Sequence, residues 1–167
     1  CAVGRSAFEM SRAAEEVVAI DYSHSFIEAG KVMQADGGCE VSRLKEGKIL
    51  DSVHVEAPAG ARPGLIRFEQ GDAMNLRNGL GEFDRVLAAN LLCRLREPTL
   101  LLARLPDLVR EGGELILTTP CTWLEEFTPR NHWPQGETLE WLKTKLKGSF
   151  DLLEEHNEPF LIRETAR

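Results

Sequence analysis

The sequence predicts an α/β protein: an open, doubly wound, mostly parallel sheet with an antiparallel strand near its C-terminal edge. Three observations lead there. Short apolar runs alternate with helix-patterned stretches, the order that gives right-handed parallel crossovers. The runs "VLAANLL" and "LILTT" are apolar at successive positions, as strands covered on both faces should be. Asp21, Asp72 and Asn90 close three of the runs, at the strand ends where such sheets bind ligands.

The elements follow in order. The chain opens "CAVGRSAFEM", where Gly4 is reached through small residues and leads into a helix pattern over about Arg5 to Glu15. Such a turn normally follows a buried strand. We expect that strand, the first of the sheet, to precede Cys1. "EVVAIDYS" reads as a strand ending at Asp21. "SHSFIEAGKVMQ" reads as a helix capped by Ser23 or Ser25, with Phe26, Ile27, Val32 and Met33 on its inner face. Polar and apolar residues alternate around "KEGK" between Gly37 and Pro63, the pattern of a β-hairpin or an extended excursion. "GLIRFEQGDAMNL" is a strand followed by a Gly-Asp turn, and "EFDRVLAANLLCRL" an apolar strand running into a loop or helix start. "EPTLLLARLPDLVREGG" reads as a helix closed by Gly112 and Gly113. "GELILTTP" is the next strand, halted by Pro120, and an aromatic-acidic stretch, "CTWLEEFTPRNHW", follows it. A helix is expected from about Glu137 to Leu146, then an antiparallel pair from "SFDLLEEHN" and "EPFLIRETAR".

Composition narrows the function classes. The 167 residues fit one domain over 1–167, with 43% hydrophobic and 28% charged residues. Twenty basic residues stand against 27 acidic ones, a net charge of −7 with no Lys/Arg stripe, which argues against nucleic acid. No apolar run approaches the roughly 20 residues that span a bilayer, so no membrane partner and a cytoplasmic location are expected. Cys1, Cys39, Cys93 and Cys121 lack CxxC or other metal spacing, and three of them, in apolar or strand-like surroundings, read as small core residues. The four histidines form no HxH or HxxxH array, so no metal is expected.

The strand-end acids carry the chemistry. Asp21 follows Gly4 at close to the spacing of about 20 residues at which an acid grips ribose hydroxyls. A carboxylate suits a vicinal diol because it accepts two hydrogen bonds, although an acid there also serves as a cap for the next helix. Asp72 has the reach to accept from the exocyclic amine of adenine while the Ala73 N–H donates to a ring nitrogen. Its other role is a turn Asp bonded to its own backbone. Two acids at successive strand ends fit an adenosine whose far end is positive. A dinucleotide instead needs its helix N-terminus clear for pyrophosphate.

The order of Gly turn, ribose acid, "GDAMNL", "FDRVLAANLL", helix and "GGELILTTP" resembles a class I S-adenosylmethionine-dependent methyltransferase. That resemblance implies a Rossmann-like sheet and S-adenosyl-L-methionine as cofactor. Ala2 and Gly4 would belong to the glycine-rich turn, with Ala2 where the family often has glycine. "FEQGDAMNL", "LAANLLCRLREP", "TTPCTWLEEFTPR" and "EPFLIRETAR" together resemble the C-terminal methyltransferase domain of ovothiol-biosynthesis enzymes, over nearly the whole chain. This implies N-methylation of the imidazole ring of 5-thiohistidine (4-mercaptohistidine). It also implies a link, by fusion or partnership, to an iron-dependent sulfoxide synthase domain, which nothing in this chain resembles.

Site residues follow from the resemblance and from residue chemistry together. Cofactor contacts fall on Ala2, Gly4, Asp21, Tyr22, Asp72, Ala73 and Asn90, with Asn90 also the candidate catalytic residue that bonds the substrate or the methionine amine. On the substrate side, Trp123 and Phe127 would stack on the imidazole, Glu125 and Glu126 would meet an α-ammonium, and Arg130 an α-carboxylate. A solvated charged turn is the plainer reading of the last three. A nicotinamide-dependent oxidoreductase is the weaker alternative, because Asp72 adds nothing to it and no Tyr-x-x-x-Lys pair is present. A non-catalytic cofactor-binding module, or a methyltransferase for another small molecule, remains open.

Overall fold

The computed structural model of the chain describes residues 1–159. Cys1–Gln70 and Gly71–Glu155 are each the body of a compact unit.

The first unit contains α1 (Arg5–Met10), β1 (Val17–Asp21), α2 (His24–Asp36), β2 (Gly38–Glu46), β3 (Ile49–Glu56) and β4 (Ile66–Gln70). β1 and β4 pair in parallel, from Val17 opposite Ile66 to Asp21 opposite Gln70. Their inward residues, Val17, Ala19, Ile66 and Phe68, pack with Ala7 and Phe8 of α1 and with Ile27 and Met33 of α2. β2 and β3 form the expected antiparallel hairpin, turning at Gly47 and Lys48.

Two expectations change here. The first helix ends at Met10 and not near Glu15. The buried Ser11 hydroxyl donates to the Phe8 carbonyl at 2.7 Å, while Arg62 donates to the carbonyls of Ser11 and Ala14 at 2.8 and 2.6 Å. A side chain from 51 residues downstream therefore takes the carbonyls that further turns would have used. In α2, capped by Ser23 whose hydroxyl accepts from the Phe26 N–H, the buried stripe is Ile27, Gly30 and Met33. Phe26 and Val32 are exposed: Val32 points about 160° around the helix from Gly30, and Phe26, although on the side of the stripe, stands in the open first turn.

The second unit contains β5 (Phe83–Ala89), α3 (Pro98–Arg104), β6 (Val109–Thr118) and α4 (Thr138–Leu146). β5 and β6 pair in parallel from Arg85 opposite Glu114 to Ala89 opposite Thr118. Leu101 and Leu102 of α3 and Leu142 of α4 build a core with Leu92, Leu95 and Leu105, against which Val86, Leu115 and Leu117 pack. Gly112 and Gly113 do not close the helix. It ends at Arg104, and the pair sits inside β6, where the register slips. Gly112 has φ 73°, and a Cβ at Gly113 would lie 3.0 Å from the Asp84 carbonyl oxygen, so the bulge needs both glycines.

β6 is also not covered on both faces. Leu115 and Leu117 turn toward the core with α3 and α4, while Ile116 on the other face is 46% exposed. The first piece of the expected terminal strand pair, 149–157, forms no strand, and most of the second lies outside the described residues. The α/β class with parallel strand pairs stands. No helix among the described residues is long and apolar enough to cross a membrane.

Candidate functional site

In the first unit the glycine turn meets the first strand-end acid. Gly4 adopts φ 94° as the residue before α1, and Ala2 is also left-handed at φ 46°. One Asp21 oxygen, Oδ2, accepts from the Ala2 N–H at 2.8 Å and from the Cys1 amino group at 2.9 Å. Oδ1 accepts from the Ser23 N–H at 3.0 Å, just before α2. Asp21 thus organises the turn and the following helix start at once. Partial burial works to raise its pKa, but the hydrogen bonds donated by Ser23 and by the first two residues outweigh it, and the net shift is downward. Tyr22, next in line, is exposed, and its carbonyl accepts from Gln70.

The second unit holds the other candidates. Asp72 is half-buried, and its Oδ1 accepts from the Met74 N–H at 2.8 Å, the turn geometry that the sequence offered as its other role. Ala73 lines a shallow cleft of about 240 Å³ with Met74, Leu76, Leu100 and Arg104. Asn90 follows β5 directly at φ 52° and is exposed. Its N–H donates to the Thr118 carbonyl at 2.8 Å, and the Thr118 hydroxyl donates to its Oδ1 at 3.1 Å. With Oδ1 engaged, the Asn90 NH₂ makes no hydrogen bond among the described residues. Thr118 was not anticipated, because this contact runs across the ladder between strands 28 residues apart.

The stretch after β6 is only in part the array that the sequence suggested. Arg130 Nε and Glu125 Oε2 pair at 3.1 Å, both well exposed. Glu126 is exposed beside them. Trp123 turns toward α4, where its Nε1 donates to Thr138 at 2.9 Å and its ring meets Trp141 edge-on at 6.0 Å. Phe127 carries the Arg94 guanidinium 4.8 Å from its ring centroid. The fully buried Thr128 donates to the Leu95 carbonyl at 2.7 Å and anchors the loop. Cys93 is buried, whereas Cys121, at φ 54°, and Cys1 are exposed, so these two are not core residues. Ala2, Asn90 and Cys121 are the non-glycine residues with positive φ among the described residues, and backbone strain of this kind concentrates at functional sites.

Residues 1–117 match the profile of the family described as a methyltransferase domain. The chain belongs to this family. It is therefore a class I S-adenosylmethionine-dependent methyltransferase domain by family, on the Rossmann-like α/β fold described above. No curated protein is similar enough to match. The residues of the methyltransferase fit its cofactor. Asp21 and the Ala2–Gly4 turn lie within hydrogen-bond distance of one another, and a carboxylate with about four acceptor positions keeps capacity beyond the three bonds it makes here. No group of three or more His, Cys, Asp or Glu among the described residues is placed to hold a metal ion.

Proposed function

We propose that the protein methylates a ring nitrogen of 5-thiohistidine, the step that forms the N-methylated thiol in ovothiol biosynthesis. The observation that carries this reading is the Arg130–Glu125 pair, opposite charges 3.1 Å apart in the loop after β6. A free amino acid presents an ammonium and a carboxylate, and it can exchange with that pair, ammonium to Glu125 and Glu126, carboxylate to Arg130. Phe127 supplies exposed aromatic surface in the same loop, whereas Trp123 packs against α4. The sequence motifs "CTWLEEFTPR" and "EPFLIRETAR" support the same substrate.

S-adenosyl-L-methionine supplies an electrophilic methyl group. Gly4, Ala2, Asp21 and Tyr22 would hold its ribose side, and Asp72 and Ala73 its adenine. An imidazole nitrogen that presents its lone pair needs no strong base, so the protein's task is selection. The ring sulfur is the stronger nucleophile, and the acceptor must be oriented so that nitrogen faces the methyl. Asn90, donating through its NH₂, suits the orientation of an acceptor atom. The sulfur that makes the substrate would come from an iron-dependent sulfoxide synthase, fused to this domain or acting with it.

Incubation with S-adenosylmethionine and 5-thiohistidine should give a product whose NMR spectrum places the methyl on nitrogen. A dominant S-methyl product, or no turnover, would overturn the reading. Arg130→Ala should raise the KM for 5-thiohistidine and leave cofactor affinity unchanged, since a guanidinium that touches only substrate acts on substrate binding. Thr118→Val should slow turnover by about fivefold, the worth of one neutral hydrogen bond near 1 kcal/mol, with Thr118→Ser restoring it. An unchanged rate in Thr118→Val would remove Thr118 as the residue that positions Asn90.

A further inference from the structure

A cleft of about 340 Å³ opens in the second unit between α3, the turn after Pro129 and α4. Trp133 and Trp141 are its aromatic walls, Asn131 and Gln135 bring amides, and His132 and Lys145 bring the titratable groups. No carboxylate lines it among the described residues, although acidic residues outnumber basic ones 27 to 20 in the chain.

The walls are fixed in advance. Trp133 Nε1 donates to the carbonyl of buried Thr128 at 2.6 Å, and the Arg130 guanidinium lies 5.6 Å from its ring centroid. Trp141 is braced by Trp123, at an interplanar angle of 86°. His132 Nδ1 lies 2.7 Å from the Arg96 carbonyl oxygen. A carbonyl only accepts, so Nδ1 carries the proton and Nε2 of the neutral ring is an acceptor. Lys145 makes no ion pair among the described residues, whereas Lys143 on the same helix is engaged by Glu140 and Glu155 at 3.0 and 3.1 Å.

An unpaired ammonium beside two indoles asks for an anion on a flat ring, and a histidine acceptor asks for a donor on the same ring. We infer that this cleft is a binding site for a planar heteroaromatic carboxylate. The ring lies against Trp133 and Trp141, the carboxylate meets Lys145, and a ring N–H donates to His132 Nε2. The amides of Asn131 and Gln135 serve the remaining polar atoms. A cleft of this volume sits at the small end of ligand sites and suits a single ring, not a dinucleotide. The site goes beyond the methyl-transfer reading and does not depend on it.

The test follows the indole N–H signals of Trp133 and Trp141 by NMR during titration with imidazole-4-carboxylate, and with the uncharged imidazole-4-carboxamide of the same shape. The carboxylate should shift both indoles and bind at least about tenfold more tightly than the amide, the usual advantage of a charge-assisted bond. Lys145→Gln should abolish that preference, while Lys147→Gln, which lies outside the cleft, should keep it. Lys145 is exposed, so its variant keeps the fold. Equal binding of the two probes, unmoved indoles, or a preference that survives Lys145→Gln would overturn the site. Loss of the preference in Lys147→Gln as well would reduce it to general charge attraction and overturn it too.

Discussion

Gly4→Ala should lower the melting temperature by roughly 5–15 °C, because strain and overpacking fall on one atom and together cost about 2–5 kcal/mol. At φ 94° a side chain is strained in any surroundings. The added Cβ would also lie 2.6 Å from Phe68 Cζ and 3.3 Å from Phe8 Cε2, inside the core of the first unit. The same Cε1–Cζ edge of the Phe68 ring also closes on Gly30, where a Cβ would come within 2.6 Å of Cε1, so the ring tip is held between the two glycines. Gly30 separates the two causes. It lies within α2, where alanine gains about 1 kcal/mol of helix propensity, so Gly30→Ala carries the clash without the strain. Gly4→Ala should therefore be the more damaging of the two by thermal melting. In a Phe68→Leu background its penalty should shrink but keep the strain of about 1–2 kcal/mol. Equal melting of the two alanine variants would show that the left-handed turn is not what the position requires.

Local signals were the legible ones. The Gly4 turn, β1 ending at Asp21, the Ser23 cap and the hairpin around Gly47 each depend on residues close in sequence, and each lies where the pattern puts it. The departures come from partners far along the chain. Arg62 ends α1 by taking carbonyls that a helical pattern would assign to further turns. Gly112 and Gly113 carry the composition of a helix stop, yet the approach of the Asp84 backbone makes them a bulge. Trp123 stands in the loop that the sequence favours for substrate, but Thr138 and Trp141 of α4 hold it from the other side. The cleft of His132, Trp133, Trp141 and Lys145 was illegible for the same reason. Its members come chiefly from two segments that read separately as an irregular aromatic-acidic stretch and a helix.

Asp21→Ala should weaken the binding of S-adenosylhomocysteine by about one to two decades, corresponding to the loss of a charge-assisted bond worth roughly 1.5–3 kcal/mol. The carboxylate has two duties, and they must be separated. It accepts from Ala2, Cys1 and Ser23 within the protein, so Asp21→Ala should also lower the melting temperature. Asp21→Asn keeps one oxygen for the Ser23 N–H and should melt nearer the parent while still losing affinity, because its NH₂ cannot accept from a ribose hydroxyl. The pH dependence has a definite sign. The pKa of Asp21 is lowered in the fold, so its contribution to stability is fully present above the ordinary aspartate range and is lost as pH falls through the lowered value. Cofactor affinity that depends on this carboxylate should accordingly stay level through neutral and mildly acidic pH. Asp72→Ala is the companion measurement. Asp72 gives one oxygen to the Met74 N–H, and removal of its carboxylate should also cost about one to two decades if the other oxygen serves adenine. Calorimetric affinities unchanged in both Asp21→Asn and Asp72→Ala would sink the assignment of these two acids to adenosine.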